Sequence, residues 1–282
     1  MSANPIDYIF KVKTNEAYVI KILGELLSNT IKYAPIKVTE RGISLTQVTQ
    51  TENKMEQLID IMLYKENFNQ YQFKSPEPLS FIINSSYLYK MLKAIKKKDK
   101  VTLYITRDDP LKLGIAVEKQ DENNITTTTI GITQNRPEVF TLPDGYENPV
   151  IMTTKEFQNM KNLHPIGKIV RVTAKPGYLK FFCDGGELFS RNIIVGDEDE
   201  SQDEPSIQHF NTHHLTGLTK CAGASQNGHI QIFVQPTLPL KIMMKAGNLG
   251  DLTVYIKSRE MIEWESGDGE EQKAPDADEA EN

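Results

Sequence analysis

Few side chains in this chain are spaced for bond-making chemistry, and each that is has a plainer role. Asp108-Asp109 stands directly before Pro110. Adjacent carboxylates can share a divalent metal, but no third ligand is spaced to join them, and Asp before Pro starts a turn. His213 and His214 are neighbours. On a helix they are expected to point apart, unlike the i, i+4 pair that shares an ion. Cys183 and Cys221 fit neither a disulfide framework nor a zinc knuckle and read as packing residues. Gly247-Asn248-Leu249-Gly250 has no helix after it to receive a phosphate, so it reads as a turn. The chain has no Gly-x-x-x-x-Gly-Lys-Ser/Thr loop and no Gly-x-Ser-x-Gly elbow. A non-enzyme is expected, with no metal and no cofactor. The enzyme alternative is a metal-dependent nuclease using Asp108 and Asp109.

What the residues do offer is positive charge at helical spacing. At 100° per residue, Lys90, Lys93 and Lys97 fall opposite the stripe Leu88, Met91, Leu92 and Ile95. Lys21 opposes Val19 and Leu23, and Lys155 and Lys161 lie off the side formed by Phe157, Met160 and Leu163. Lys220 opposes Leu215 and Leu218. Lysine meets phosphate as a point charge, without the fork that would read a base. One such face is an ordinary solvated surface. Several lining one surface predict contact with a DNA backbone, independent of sequence and weakened steeply by salt.

The elements that carry these lysines are duplicated. Ile36-Lys37-Val38-Thr39 with Gly42-Ile43-Ser44-Leu45 returns about 135 residues later as Val170-Arg171-Val172-Thr173 with Gly177-Tyr178-Leu179-Lys180. Leu88 to Lys93 and Pro110-Leu111-Lys112-Leu113 return in the same order as Leu215 to Lys220 and Pro239-Leu240-Lys241-Ile242. Lys93 and Lys220 thus occupy equivalent places. One supersecondary plan is used twice. Each copy has strands with period-two alternation, such as Val101, Leu103 and Ile105, and two short helices; that is an α+β domain shielded on one face by helices. The expected divisions are a first domain over 1–136, a connector over 137–149, a second domain over 150–262 and an acidic, disordered tail over 263–282. The connector holds three prolines but also Phe140, Leu142 and Tyr146, which either pack down or line a partner site.

The net charge of −6 is concentrated. From Glu265 onward there are eight acids and one lysine, which leaves the body at +1. A second acidic run lies at Asp197–Glu200 with Asp203 and Glu204. Both runs read as solubilising, or as a screen against indiscriminate contact with nucleic acid. No stretch is long and apolar enough for a membrane span, and no secretory leader is expected at the N-terminus. The sparse cysteines suit a reducing compartment.

From about Ile9 to Arg259 the chain resembles the sliding clamps of the proliferating cell nuclear antigen family. Four pieces carry the resemblance: Gly42-Ile43-Ser44-Leu45; Glu66-Asn67-Phe68-Asn69-Gln70-Tyr71; Asn84 to Lys93; and Pro239-Leu240 through Asn248-Leu249-Gly250-Asp251-Leu252 to Tyr255. The resemblance implies a homotrimeric ring that encircles double-stranded DNA and catalyses nothing. It implies a clamp loader, DNA polymerase, and other replication and repair proteins as partners, in the nucleus or in a viral replication compartment. Subunits would meet through Ile125–Thr133 of one and Glu187–Val195 of the next. The DNA-facing lysines it implies are Lys21, Lys90, Lys93, Lys161 and Lys220. A short hydrophobic and aromatic plug from partners would enter a pocket of Val48, Leu58, Phe140, Leu142, Pro143, Tyr146, Pro239 and Tyr255. Lys175 falls where the family carries a lysine modified by ubiquitin-like proteins. The loop Thr49–Met55 is longer than the family's, and Lys257-Ser258 replaces its Ala-Pro after the last strand, which suggests a large DNA virus or a distant eukaryote. One subunit of a heteromeric checkpoint-type clamp is the alternative.

Overall fold

The computed structural model describes residues 6–51, 54–120, 124–136, 138–197, 204–224 and 228–266. The tail beyond 266 and the acidic stretch 198–203 lie outside these. The first half runs β1 (Tyr8–Thr14), α1 (Ala17–Thr30), β2 (Tyr33–Thr39), β3 (Gly42–Thr51), β4 (Lys54–Tyr64), β5 (Gln70–Phe73), β6 (Leu79–Asn84), α2 (Ser85–Leu92), β7 (Lys100–Thr106), β8 (Lys112–Glu118), β9 (Ile125–Gly131) and β10 (Thr133–Gln134). The second runs β11 (Val150–Thr153), α3 (Thr154–Gln158), β12 (Ile169–Lys175), β13 (Tyr178–Asp184), β14 (Ser190–Val195), β15 (Ser206–Asn211), α4 (Thr212–Ala222), β16 (His229–Phe233), β17 (Leu240–Ala246), β18 (Gly250–Ile256) and α5 (Arg259–Glu265). The fold is α+β and β-rich, as expected, and no described helix is long and apolar enough to cross a membrane.

The duplication is visible strand by strand. The order β6-β2-β3-β4 in the first half matches β15-β12-β13-β14 in the second, and β1-β7-β8-β9 matches β11-β16-β17-β18. Gly42 and Gly177 open the equivalent hairpins with φ of 149° and 73°, backbone that glycine adopts without steric cost. The helices pack on the apolar faces that the period-3.6 pattern predicts: Val19, Ile22, Leu23 and Leu26 of α1, Leu88 and Leu92 of α2, and Leu215 and Leu218 of α4 are buried. Met91 is an exception and is exposed.

Among the described residues, one strand pairing joins the halves. β4 and β18 run antiparallel in register from Gly250↔Leu63 to Ile256↔Gln57, so a nine-stranded sheet spans both copies. The approach is close at Gly250, where a Cβ would sit 1.8 Å from the Met62 carbonyl oxygen. In the repeat, β14 corresponds to β4 and β9 to β18. Those two strands end their sheets with no further partner strand among the described residues. Both edges carry exposed apolar side chains: Ile125 is 64% exposed, Ile194 55%, and Leu188, just before β14, 90%.

The second half departs from the first in its opening helix. α1 has 14 residues, whereas α3 has five and continues as a 3-10 turn over Asn159–Asn162. The Thr153–Glu156 capping box starts α3 firmly, but Asn159, Asn162 and Pro165 do not propagate a helix. At the other end, Glu263–Glu265, placed in the tail by composition, are helical in α5. The Ser258 hydroxyl accepts from the Met261 N–H at 3.2 Å, and Lys257 Nζ donates to Glu265 Oε1 at 2.6 Å; this cap and ion pair hold a helix of barely two turns.

Candidate functional site

The four inner helices form one layer. α1 packs against α2 on one side and α4 on the other, and α4 packs against α3. The contact between α1 and α4 crosses the seam between the halves. A groove of about 460 Å³ opens there, walled by Tyr18, Lys21 and Glu25 of α1, Tyr89 of α2, Gln158 of α3, and Lys220. Lys97 also lines it. The structure therefore brings Lys21, Lys97 and Lys220 to one place.

Their environments differ from a plain free face. Lys21 Nζ donates to the Ile95 carbonyl oxygen at 2.9 Å, a group left over where the chain leaves α2. Lys97, expected on the second helix, lies in the turn after it, because α2 stops at Leu92. Lys96 and Lys97 would sit three and four residues after Lys93 on a longer helix, where like charges oppose a further turn, and Asp99 Oδ2 accepts from the Lys96 N–H at 2.8 Å to bend the chain. Lys97 Nζ lies 5.8 Å from the Tyr18 ring centre. Lys220 Nζ donates to Glu25 Oε1 across the seam, and that carboxylate raises the pKa of the Lys220 ammonium. Lys90 lies over Tyr87, 5.5 Å from its ring centre. Lys90, Lys93 and Lys161 are exposed. α2 contains no acid, and the one acid of α3, Glu156, is occupied by its Thr153 cap.

The opposite face of the nine-stranded sheet carries a second constellation. Cross-strand register places Val48, Leu58, Tyr255, Lys241 and Phe233 side by side on five neighbouring strands. Directly opposed residues share a face, and the alternate rows through Ile59, Val254, Ile242 and Ile232 are buried toward the helices. Tyr146 of the connector lies against this row. Its hydroxyl donates to the Pro239 carbonyl oxygen at 2.7 Å, and its ring centre is 5.8 Å from Phe233 and 6.0 Å from Tyr255. Burial pushes the Tyr146 hydroxyl pKa upward, so it stays a donor. The sequence did not point to Lys241 or Phe233. Lys241 Nζ lies 4.9 Å from the Tyr146 and Phe233 ring centres and 5.8 Å from that of Tyr255, a cation among three aromatic faces. Its strand position opposite Tyr255 was the signal available, but only once β17 and β18 are aligned.

The expected pocket is therefore split. Val48, Leu58, Tyr146, Pro239 and Tyr255 converge. Phe140 instead enters a separate groove of about 460 Å³ with Tyr33, Pro35, Ser44 and Gln47. That groove exists because β2 and β3 pair only from Lys37↔Ser44 outward, and Pro35 supplies no N–H toward β3. Leu142 is 38% exposed on the connector, and Pro143 is half-buried.

Other candidates are resolved individually. Asp109 Oδ2 accepts from Lys112 Nζ at 2.7 Å within the turn. Gly247–Gly250 is the turn between β17 and β18, tied down by the Asn248 N–H donating to Glu16 Oε2 at 2.8 Å. Cys183 and Cys221 are free and buried, and burial pushes the Cys221 thiol up to about 12. Lys175 is half-buried beside the Pro176-Gly177 turn. The histidines depart from expectation. The rings of His213 and His214 lie 3.9 Å apart, tilted by 43°, rather than pointing away from each other. A separation of 100° is not opposition, and in the first turn of α4 the two long side chains can lean together.

Residues 9–135 match the family model described as proliferating cell nuclear antigen, N-terminal domain. Over 261 residues the chain is 20% identical to a DNA polymerase sliding clamp of Cenarchaeum symbiosum (strain A), the alignment covering 89% of this chain and 98% of that protein.

Proposed function

The chain is a divergent member of the proliferating cell nuclear antigen family of sliding clamps, and from that premise we propose that it is a DNA polymerase processivity factor that closes into a homotrimeric ring around duplex DNA. The observation that carries this reading is the β4·β18 seam. One operation turns the first copy of the plan into the second and creates that seam. Applied again, it lays β9 of another subunit on β14 of this one. Head-to-tail contacts of this kind close when the rotation divides a full circle, and closure hides both exposed apolar edges. The helix layer then continues from subunit to subunit, and its lysines face the hole. Nothing in the layer forks toward base edges, so contact is with the phosphates and independent of sequence.

Partners dock on the other face, in the aromatic row beneath Tyr146. A polymerase segment with an apolar and aromatic plug fits the ring of Tyr146, Phe233 and Tyr255. Tethering then turns each re-encounter with the template into a local event. The test is topological. The protein, loaded on closed circular duplex by a clamp loader, should remain through a high-salt wash and leave when the circle is cut. Equal loss from intact and cut circles would sink the ring, and a sedimentation mass of one subunit at all concentrations would sink the assembly.

A further inference from the structure

At the end of the seam between the halves, three side chains with metal-ligating atoms converge. Glu56 comes from β4 of the first half, and His213 and His214 come from the first turn of α4 in the second. One ligand atom from each lies within 4.8 Å of the others. His214 Nε2 and Glu56 Oε2 are 2.9 Å apart. A carboxylate only accepts, so the imidazole donates from Nε2. We propose that Glu56, His213 and His214 form a binding site for a zinc-class divalent ion that clips the two halves of the chain together.

Two independent features support a built site, one of the backbone and one of the side chains. The β3–β4 register slips between Thr49 and Gln50: Gln57 faces Thr49 and Met55 faces Gln50, which leaves Glu56 as the extra residue of a bulge. Bulges re-aim a side chain, and here the side chain leaves the alternation of β4 and meets α4. The Glu56 carbonyl is fixed in turn by the Lys257 N–H at 2.9 Å. The second feature is the leaning of His213 onto His214, which sets two imidazoles at one carboxylate instead of on separate faces.

Burial is graded in a way that suits entry of an ion. His214 is buried at 8% exposure, the Glu56 side chain is mostly covered, and His213 is exposed. An ion arriving from solvent meets His213 first and displaces the hydrogen between His214 and Glu56, which moves to the other ring nitrogen. Zinc bound at about 2.0–2.1 Å to nitrogen and oxygen needs ligand atoms roughly 3.3 Å apart; the His214–Glu56 pair opens slightly from 2.9 Å, and rotation of the exposed His213 ring brings the third ligand in. Two imidazoles and one carboxylate favour zinc and its neighbours over magnesium or calcium, which take oxygen ligands. The fourth position is open to water or to a partner's side chain.

The test is calorimetric titration of zinc chloride into the chelator-treated full chain, alongside His213→Ala and Glu56→Gln. His213 is exposed, and glutamine keeps a hydrogen-bond acceptor for His214, so both variants should fold. The expected result is one zinc per chain, weakened roughly tenfold or more in each variant, with a zinc-dependent rise in melting temperature that the variants lose. Sites in the acidic tail would bind equally in all three proteins. Equal binding by wild type and both variants, or no zinc uptake by wild type below about 1 mM, overturns the proposal.

Discussion

The chain makes one seam within itself and leaves the two matching edges open, and these differ in more than occupancy. At the inner seam, β4 and β18 pair over seven residues and the connector lies across the outer face. On the inner face, Lys220 of α4 is answered by Glu25 of α1. At the open edges, β9 and β14 expose Ile125 and Ile194. The helices that the same operation would bring together there are α3 and α2; α2 carries Lys90, while Lys93 and Lys161 sit in the turns that follow α2 and α3, and neither helix has a free acid. One plan, used twice, therefore yields two kinds of junction. The inner one is fixed, and its Lys220 is paired; the open edges are apolar along their strands, and the helix ends beside them carry exposed lysines.

The largest expected effects separate these junctions by folding. Gly250→Ala drives a Cβ into the Met62 carbonyl at the inner seam and should cost about 3 kcal/mol, measured by denaturant unfolding. Ile194→Lys sits on the open edge. It should leave unfolding of the isolated subunit within about 0.5 kcal/mol of wild type. It should also weaken each subunit contact by about 2 kcal/mol, the worth of one buried isoleucine, in sedimentation equilibrium. If Ile194→Lys unfolds the subunit, or assembly is untouched, the edges are not the mates of the inner seam.

Docking should belong to the inner seam alone. Leu142→Ala and Tyr255→Ala are each expected to weaken a plug-bearing polymerase peptide by about 2 kcal/mol in calorimetry, without changing assembly. Leu142 is the cleaner probe because it is exposed before binding, whereas Tyr255 also supports Tyr146. Unchanged peptide affinity in Leu142→Ala would remove the connector from the pocket.

Much of this was legible because it was local. The apolar stripes of α1, α2 and α4 repeat every 3.6 residues, and the duplicated Pro110 and Pro239 blocks keep their order, so two copies and four inner helices follow from spacing. The seam was not legible, since the pairing of Gln57 with Ile256 joins strands far apart in the chain and no local pattern encodes it. Lys241 falls in a repeated block with nothing to mark it, and only register puts it among three rings. Phe140 and Tyr146 share a connector, but splayed strands at Pro35 take one aside. Helical spacing sets His213 and His214 about 100° apart, but side-chain reach brings their rings together, and Glu56 is directed by a bulge that strand alternation does not encode. α5 was missed because Met261, Ile262 and Trp264 sit in charged sequence; the Ser258 cap was the available sign.

The smallest expected effect bears most directly on charge. Glu25 pins the Lys220 ammonium and cancels it on the surface proposed to face DNA, something no acid among the described residues does for Lys93, the equivalent residue just after α2. Glu25→Gln keeps an acceptor for Lys220 but removes the balancing charge, making the inner junction resemble the outer one. DNA affinity should rise about two- to fivefold, and the slope of log affinity against log salt should steepen by about one unit if Lys220 then neutralises one phosphate. Lys93→Ala should flatten the slope by a similar amount. The two changes act at different junctions, so they should add. A slope unmoved by Glu25→Gln while Lys93→Ala lowers it would mean that phosphates are gripped at the subunit boundaries and that the middle of each subunit only spaces them.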